Sequence, residues 1–388
     1  MVLRGTNQEK ARPYNRRIVL ECIRNGGPAT RGDIATRVGL TVQTVSTIVR
    51  ELEEQNYLLS VREAPKGRGL PPTTLHLNPD GGYAIGISVT PLGVDAALMN
   101  LAGDMLGSAG RSQPHASPNA AFELIAELVA EMRALRAGGR ILGIGMAMPG
   151  PFDVQSMSFV GPTTLDGWNG VPVRARLEEV SALPAFIAAD TVAAAVGERL
   201  YGAGAGIGQY YYLHFGVGLG GTMMQDGVPV RGAWGNAGEI GHIPLMPGGR
   251  LCPCGNVGCL ERYLSLDAFS NRPAGQSQDA WVAEVTPIFH SAIQTIENLF
   301  DPQTIVLGGI APADLIAQLV ATTTALPTSI SSRYDRSTPR VIAAPGRQSV
   351  MRGAAAMAVS GVLSPRQETM ISPDRAPKRD PFSNGMAA

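Results

Sequence analysis

Several things are scarce in this chain of 388 residues, and each scarcity narrows what it can be. Charged residues are only 16% of the whole, and 44% are hydrophobic, a balance that excludes both a disordered chain and a coiled coil. No run of about 18 uninterrupted apolar residues occurs, and the first ten residues lack the apolar core of a signal peptide. The sequence therefore predicts no membrane span and a cytoplasmic protein. Cysteine is rare, four in all, and three crowd into Cys252, Cys254 and Cys259. In a reducing compartment such a cluster points to a metal rather than to disulfides. What is abundant is glycine (47) and proline (29) beside that apolar fraction, which predicts a large core with many turns in about two to three domains.

The 32 basic and 32 acidic residues cancel, but unevenly: residues 1–78 hold twelve Lys and Arg against seven Asp and Glu. A polyanion partner belongs at that end. There the pattern is tri-helical. Val19, Cys22 and Ile23 share one face of a first helix, Ile34 and Val38 follow in a second after Thr30, and Gly39 breaks it from a third. Thr41 fits an N-cap, and Val45, Ile48, Val49 and Leu52 keep the spacing of a buried stripe. The opposite face carries Gln43, Thr47 and Arg50, flanked by Thr44 and Ser46, groups able to read base edges or grip phosphates. Two strands, Tyr57 to Val61 and Thr73 to Leu77, flank a basic turn containing Lys66 and Arg68. A plain helical hairpin with a solvated face would need neither the basic turn nor the positive surplus. Residues 1–78 thus predict a winged helix-turn-helix on double-stranded operator DNA, with Gln43, Thr44, Ser46, Thr47, Arg50, Lys66 and Arg68 as the contacts.

Beyond a linker at 78–81 the pattern becomes α/β. Strands are predicted over Tyr83 to Val89, Gly93 to Leu101, Ile141 to Met148 and Ala185 to Ala189, with helices over Ala120 to Leu135 and Thr191 to Leu200. A further strand pair (Tyr210 to Phe215, Gly221 to Gln225), a helix near Trp281 to Phe300, a strand at Thr304 to Leu307 and a late helix around Val350 to Ser360 complete it. Two α/β lobes fit this order: 79–200, completed by about 345–363, and 201–344. Residues 364–388 are Pro-rich and polar and predict a disordered tail.

The chemistry concentrates in Gly238-Glu239-Ile240-Gly241-His242 and in the run from Cys252 through Cys254 and Cys259 to Glu261. Three thiolates and one imidazole make a closed four-ligand set for one structural zinc, and glycines at 255 and 258 let the loop turn tightly. Three unligated thiols in a loop would leave the clustering beside a histidine unexplained.

With that set, the order Gly145-Met146-Ala147-Met148-Pro149-Gly150, Trp168-Asn169, Asp190, Gly216-Val217-Gly218-Leu219-Gly220-Gly221, Gly238 to His242 and Val306-Leu307-Gly308-Gly309 resembles the ROK family of repressors, open reading frames and kinases over nearly all of residues 15–362. The resemblance implies an actin-like, two-lobed sugar-kinase body that binds a sugar between its lobes. It makes Asp190 the cleft carboxylate, which also matches the kinase base, with Glu239, His242 and Glu261 as further polar contacts and Gly150 allowing close backbone approach. A helix N-cap is the plainer role for Asp190.

The departures from that family separate sensor from enzyme. Gly86-Ile87-Ser88-Val89-Thr90-Pro91 stands where kinases of the family carry the Asp-x-Gly-Gly-Thr phosphate loop, and Val217 replaces a threonine in the second loop. Ala189 and Thr164 replace two asparagines, which sets the usual glucose-like ligand in question. The sequence thus predicts a sugar-responsive transcriptional regulator, a repressor acting as a homodimer or a tetramer, that binds a small sugar or sugar derivative without turnover. The alternatives are an ATP-dependent sugar kinase with an appended DNA-binding domain, and a regulator that has lost its ligand.

Overall fold

A computed structural model describes residues 12–62, 73–150, 165–331, 338–346 and 348–363. Lys66, Arg68, Thr164 and the 364–388 tail lie outside the described residues. The chain divides into two compact units, one running to Gly81 and the other Gly82–Val362.

In the first unit three helices, α1 (Arg12–Gly26), α2 (Arg31–Val38) and α3 (Val42–Glu54), precede two antiparallel strands, β1 (Leu58–Arg62) and β2 (Thr73–Leu77). Local chemistry fixes the ends. Thr30 and Asp33 form a reciprocal capping box on α2, the Asp33 amide donating to Thr30 Oγ1 (3.2 Å) and the Thr30 amide to Asp33 Oδ2 (3.0 Å). The Thr30 hydrogen bonds hold the Asp33 carboxyl below its usual range. Gly39 ends α2 in the left-handed conformation, and the Thr41 hydroxyl caps α3 by accepting from the Thr44 amide (3.1 Å). Val19, Ile34, Val45, Val49 and Leu52 form the dry centre. Cys22, expected in that core, is only half-buried at its margin.

The second unit holds two five-stranded sheets. The first orders β5-β4-β3-β6-β7, from β3 (Tyr83–Thr90), β4 (Gly93–Asn100), β5 (Met105–Ser112), β6 (Ile141–Met148) and β7 (Ala185–Ala189). The second orders β10-β9-β8-β11-β12, from β8 (Gln209–Phe215), β9 (Leu219–Gln225), β10 (Val228–Pro229), β11 (Thr304–Gly309) and β12 (Val341–Pro345). In each sheet three antiparallel strands are followed by two parallel ones, with the same connectivity.

Each sheet has its own core. Helices α4 (Pro118–Ala134) and α5 (Val173–Ser181) put Phe122, Ile125, Leu128 and Leu177 against the first sheet, where Trp168 is wholly buried against Phe122. After the short helix α7 (Leu266–Ser270), helices α8 (Gln278–Phe300) and α9 (Ala313–Thr322) cover the second with Phe289, Ile293, Leu315 and Leu319. A third cluster gathers α6 (Asp190–Tyr201) and α10 (Gln348–Leu363): Ala193, Ala194, Ala195 and Ala354 meet Tyr210, Tyr212 and Val306 of the second sheet and Ala147 of the first. Small side chains let these two helices come close to both sheets. Strands β6, β7 and β2 keep their predicted bounds, whereas β5, α5, α9 and β12 were not anticipated.

Candidate functional site

The cleft of the second unit is lined by the ends of β3 and β8, the start of α6 and the segment 235–242. Asp190 is the first residue of α6, not its cap, which is Ala189. Its Oδ1 accepts from the Thr191 amide (2.7 Å), so the carboxylate lies at the positive end of the helix dipole. Gly150, just past the end of β6, lines the same cleft, as do Glu239, His242 and Glu261. Among the described residues that line the cleft there is no lysine or arginine.

Two glycines place Glu239 and His242. A Cβ on Gly238 (φ 102°) would lie 2.1 Å from the Gly221 carbonyl oxygen, and one on Gly241 would lie 1.9 Å from that of Leu219. Only bare backbone can dock so closely on β9, and it is tied there by a Gly221 N–H bond to the Gly238 carbonyl (3.0 Å). Glu239 keeps about half its side-chain surface open to solvent, yet the surrounding cleft walls raise its carboxyl pKa, with Asp190 and Glu261 adding to the shift and His242 opposing it.

His214 is a site residue that no sequence signal indicated. It projects from β8 into the cleft, is 4% exposed, and holds Nε2 3.8 Å from Asp190 Oδ2. Burial depresses its pKa, the nearby carboxylate opposing that shift. Its Nδ1 is buried with no hydrogen-bond partner among the described residues. A lone histidine in an apolar strand belongs to no motif, so only the geometry could reveal it.

Beside the cleft, His242, Cys252, Cys254 and Cys259 bring one ligand atom each to within 4.8 Å of one another. Cys254 and Cys259 sulfurs are 3.7 Å apart, and Cys252 Sγ is 3.6 Å from His242 Nδ1. A tetrahedral ion with bonds of about 2.3 Å to sulfur and 2.0 Å to nitrogen requires separations of roughly 3.8 and 3.5 Å, so the residues fit a metal. The Asn256 amide hydrogen-bonds the Cys254 sulfur and is the largest cause lowering its pKa to about 7, while burial pushes the Cys252 and Cys259 thiols up. His242 divides its nitrogens: Nδ1 faces the sulfurs, and Nε2 lies 4.0 Å from Glu239 Oε2 in the cleft. Glu261 also faces both ways, with Oε1 3.2 Å from Cys252 Sγ and Oε2 2.9 Å from where a Cβ of Gly218 would be.

In the first unit, Gln43, Thr47 and Arg50 are exposed on α3 and Thr44 and Ser46 half-exposed, opposite the buried stripe.

Residues 84–360 match the ROK family, and residues 12–58 match a winged helix-turn-helix DNA-binding family. The chain belongs to the ROK family. It is 31% identical over 267 residues to a xylose repressor of Caldicellulosiruptor bescii, covering 67% of this chain and 65% of that protein. In fold it resembles a ROK family transcriptional regulator described as a homolog of the E. coli MLC protein (TM-score 0.70, 22% identity, 92% of this chain and 98% of that one). It also resembles a ROK glucokinase of Streptomyces griseus solved with glucose and AMPPNP (TM-score 0.62, 23% identity, 72% of this chain and all of that one).

Within the ROK body the β3–β4 turn is closed on itself. The Thr90 hydroxyl accepts from the Leu92 amide (3.2 Å) and donates to the Gly93 carbonyl (3.4 Å), and Pro91 has no N–H to offer.

Proposed function

We propose that this ROK protein is a sugar-responsive DNA-binding transcriptional regulator, a repressor of carbohydrate-metabolism genes, and that its cleft binds without phosphorylating. The observation that carries this reading is one chain holding both a DNA-binding helical unit and a carboxylate-lined cleft whose first phosphate hairpin is tied up by Thr90. Asp190, Glu239, Glu261 and His242 can share hydrogen bonds with vicinal hydroxyls, and such a site strongly penalises a ligand lacking one of them. The relative named as a xylose repressor makes xylose the first sugar to test. Phosphoryl transfer depends almost wholly on positioned donors and cations around the phosphate oxygens, and here no lysine or arginine is among the described residues that line the cleft.

The metal is zinc, one structural ion per chain on His242, Cys252, Cys254 and Cys259; its four ligands leave no position for catalytic water. When bound it holds the loop that carries Glu261. The DNA-bound form is a homodimer on an inverted repeat, since one winged helix buries little surface and paired half-sites raise affinity and specificity together.

The retained Asp190 and the glycines of the second loop favour a second reading, a sugar kinase, which a coupled assay with ATP and xylose or glucose tests directly. For the regulator, the decisive measurement is titration of the protein with sugar, with and without saturating operator. Couplings of about 1–3 kcal/mol would change affinity roughly 5- to 150-fold, by the same factor in both directions. Equal sugar affinities in the two titrations reject the sensor.

A further inference from the structure

The outward face of α3 is poorer in hydrogen-bond donors than its sequence suggests. Ser46 spends its hydroxyl proton on the Val42 carbonyl (2.8 Å), and Thr47 spends its own on the Gln43 carbonyl (3.2 Å). Thr41 and Thr44 hydroxyls bond each other (2.8 Å). Of the five polar side chains named for this face, the Gln43 amide and the Arg50 guanidinium keep uncommitted donors in the described contacts, and the Thr41–Thr44 pair keeps one hydroxyl proton between them. Meanwhile Val42, first residue of the helix, is 54% exposed although every other aliphatic residue of α3 is buried, and Thr47 stands exposed near the middle of the outward face. A single exposed valine is ordinary. An exposed valine at the start of the helix and, about one and a half turns on, a threonine whose hydroxyl is already bonded give α3 two exposed aliphatic groups.

We propose that α3 reads thymine by apolar contact, the Thr47 methyl and Val42 packing on C5-methyl groups in the major groove while Gln43 and Arg50 supply the polar readout. This rests on the DNA-binding reading. Among the four bases only thymine presents a methyl in the major groove, so aliphatic groups at these positions select it and carry no discrimination among the other three. The first residues of a recognition helix are also those that reach base edges, which is where Val42 lies.

The probe is a duplex recovered from a random-sequence pool by the full-length chain and resynthesised with deoxyuridine in place of individual thymines. Removing a contacted methyl should weaken binding about fourfold. Thr47→Ser should bind the thymine duplex correspondingly less well yet no longer distinguish it from the uridine duplex, and Thr47→Val, which keeps a methyl and loses the hydroxyl, should retain the preference. Val42→Ala should lower the penalty for uridine at its own position. Variants whose melting temperature falls with that of the helical unit are replaced by the duplex comparison alone, which needs no substitution. Uridine duplexes bound as tightly as thymine ones, or Thr47→Val losing the preference, would overturn the inference and leave the DNA-binding reading intact. Failure of the chain to select any sequence would overturn both.

Discussion

Hairpins β3–β4 and β8–β9 occupy the same place in two sheets of identical topology, and they differ in what closes them. The first turns over Pro91 and Leu92 with the Thr90 hydroxyl bonded across it. The second turns over Gly216, Val217 and Gly218, small enough that Glu261 lies against Gly218. A fold can therefore repeat its strand order while only one copy keeps a glycine-lined loop. The second copy alone carries the metal set, reached through the segment that Gly238 and Gly241 dock on β9. The ligand contacts proposed for this body are thus weighted toward the second sheet, with Asp190 and Gly150 as the contribution from the first.

The sharpest way to break that asymmetry is to remove the metal. Cys254→Ser, or a chelator, should cost the second sheet on the order of 3 kcal/mol or more and abolish sugar binding, because Glu261 and His242 lose their anchor. Hydrogen exchange should show protection falling in the metal loop and β9 and unchanged in β3 and β6. Less than about half an equivalent of metal in the purified protein would end the zinc assignment. Next in size is catalysis. Wild type should show no ATP-dependent sugar phosphorylation, and restoring the second-loop hydroxyl with Val217→Thr should not create it, because the first hairpin still offers no phosphate cradle. Turnover in the wild type that Asp190→Asn abolishes would make the two hairpins functionally equivalent after all.

A smaller effect belongs to His214. Its buried Nδ1 has no partner among the described residues, so His214→Leu should leave the body as stable or more stable while weakening the sugar by about tenfold. The pH dependence has a definite sign. Because burial lowers the folded pKa beneath the unfolded value near 6.5, the unfolded chain binds more protons below that pH, and stability falls as pH drops through the window beneath 6.5. Thermal melts between pH 7.5 and 5.5 should show this loss in the wild type and a flatter profile in His214→Leu.

What sequence made legible divides along physical lines. Strands β6 and β7 and helix α8 are continuous or strongly periodic apolar runs and were readable to within a few residues. Strand β5, Leu-Gly-Ser-Ala-Gly-Arg-Ser after its first methionine, is an edge strand that buries no residue fully, and nothing in it marks a strand. The duplicated topology was invisible because the two sheets share strand order without sharing residues. Asp190, Glu239, Glu261 and the Cys3His set could be found because each lies in a local motif. The hydroxyls of Ser46 and Thr47 could be located on α3 but not their partners, since back-bonding to the preceding turn depends on rotamers.

The smallest test concerns the closure of the first hairpin itself. Thr90 makes two hydrogen bonds across its own turn, both in the long half of the range, at 3.2 and 3.4 Å. Long bonds at a half-buried position contribute little, so Thr90→Ala should lower stability by about 0.5–1 kcal/mol. That is a shift of only a few degrees in melting temperature for a body of this size. Sugar affinity should hardly move, because the polar contacts assigned to the ligand come from α6, His214, the 238–242 segment and Glu261. Nucleotide affinity should stay undetectable as well: freeing the Leu92 amide supplies one donor, whereas a phosphate cradle needs several converging N–H groups and Pro91 still withholds one. If Thr90→Ala instead gained measurable ATP binding, the closed hairpin would be a removable plug over a competent site, and the difference between the two sheets would reduce to a single hydroxyl.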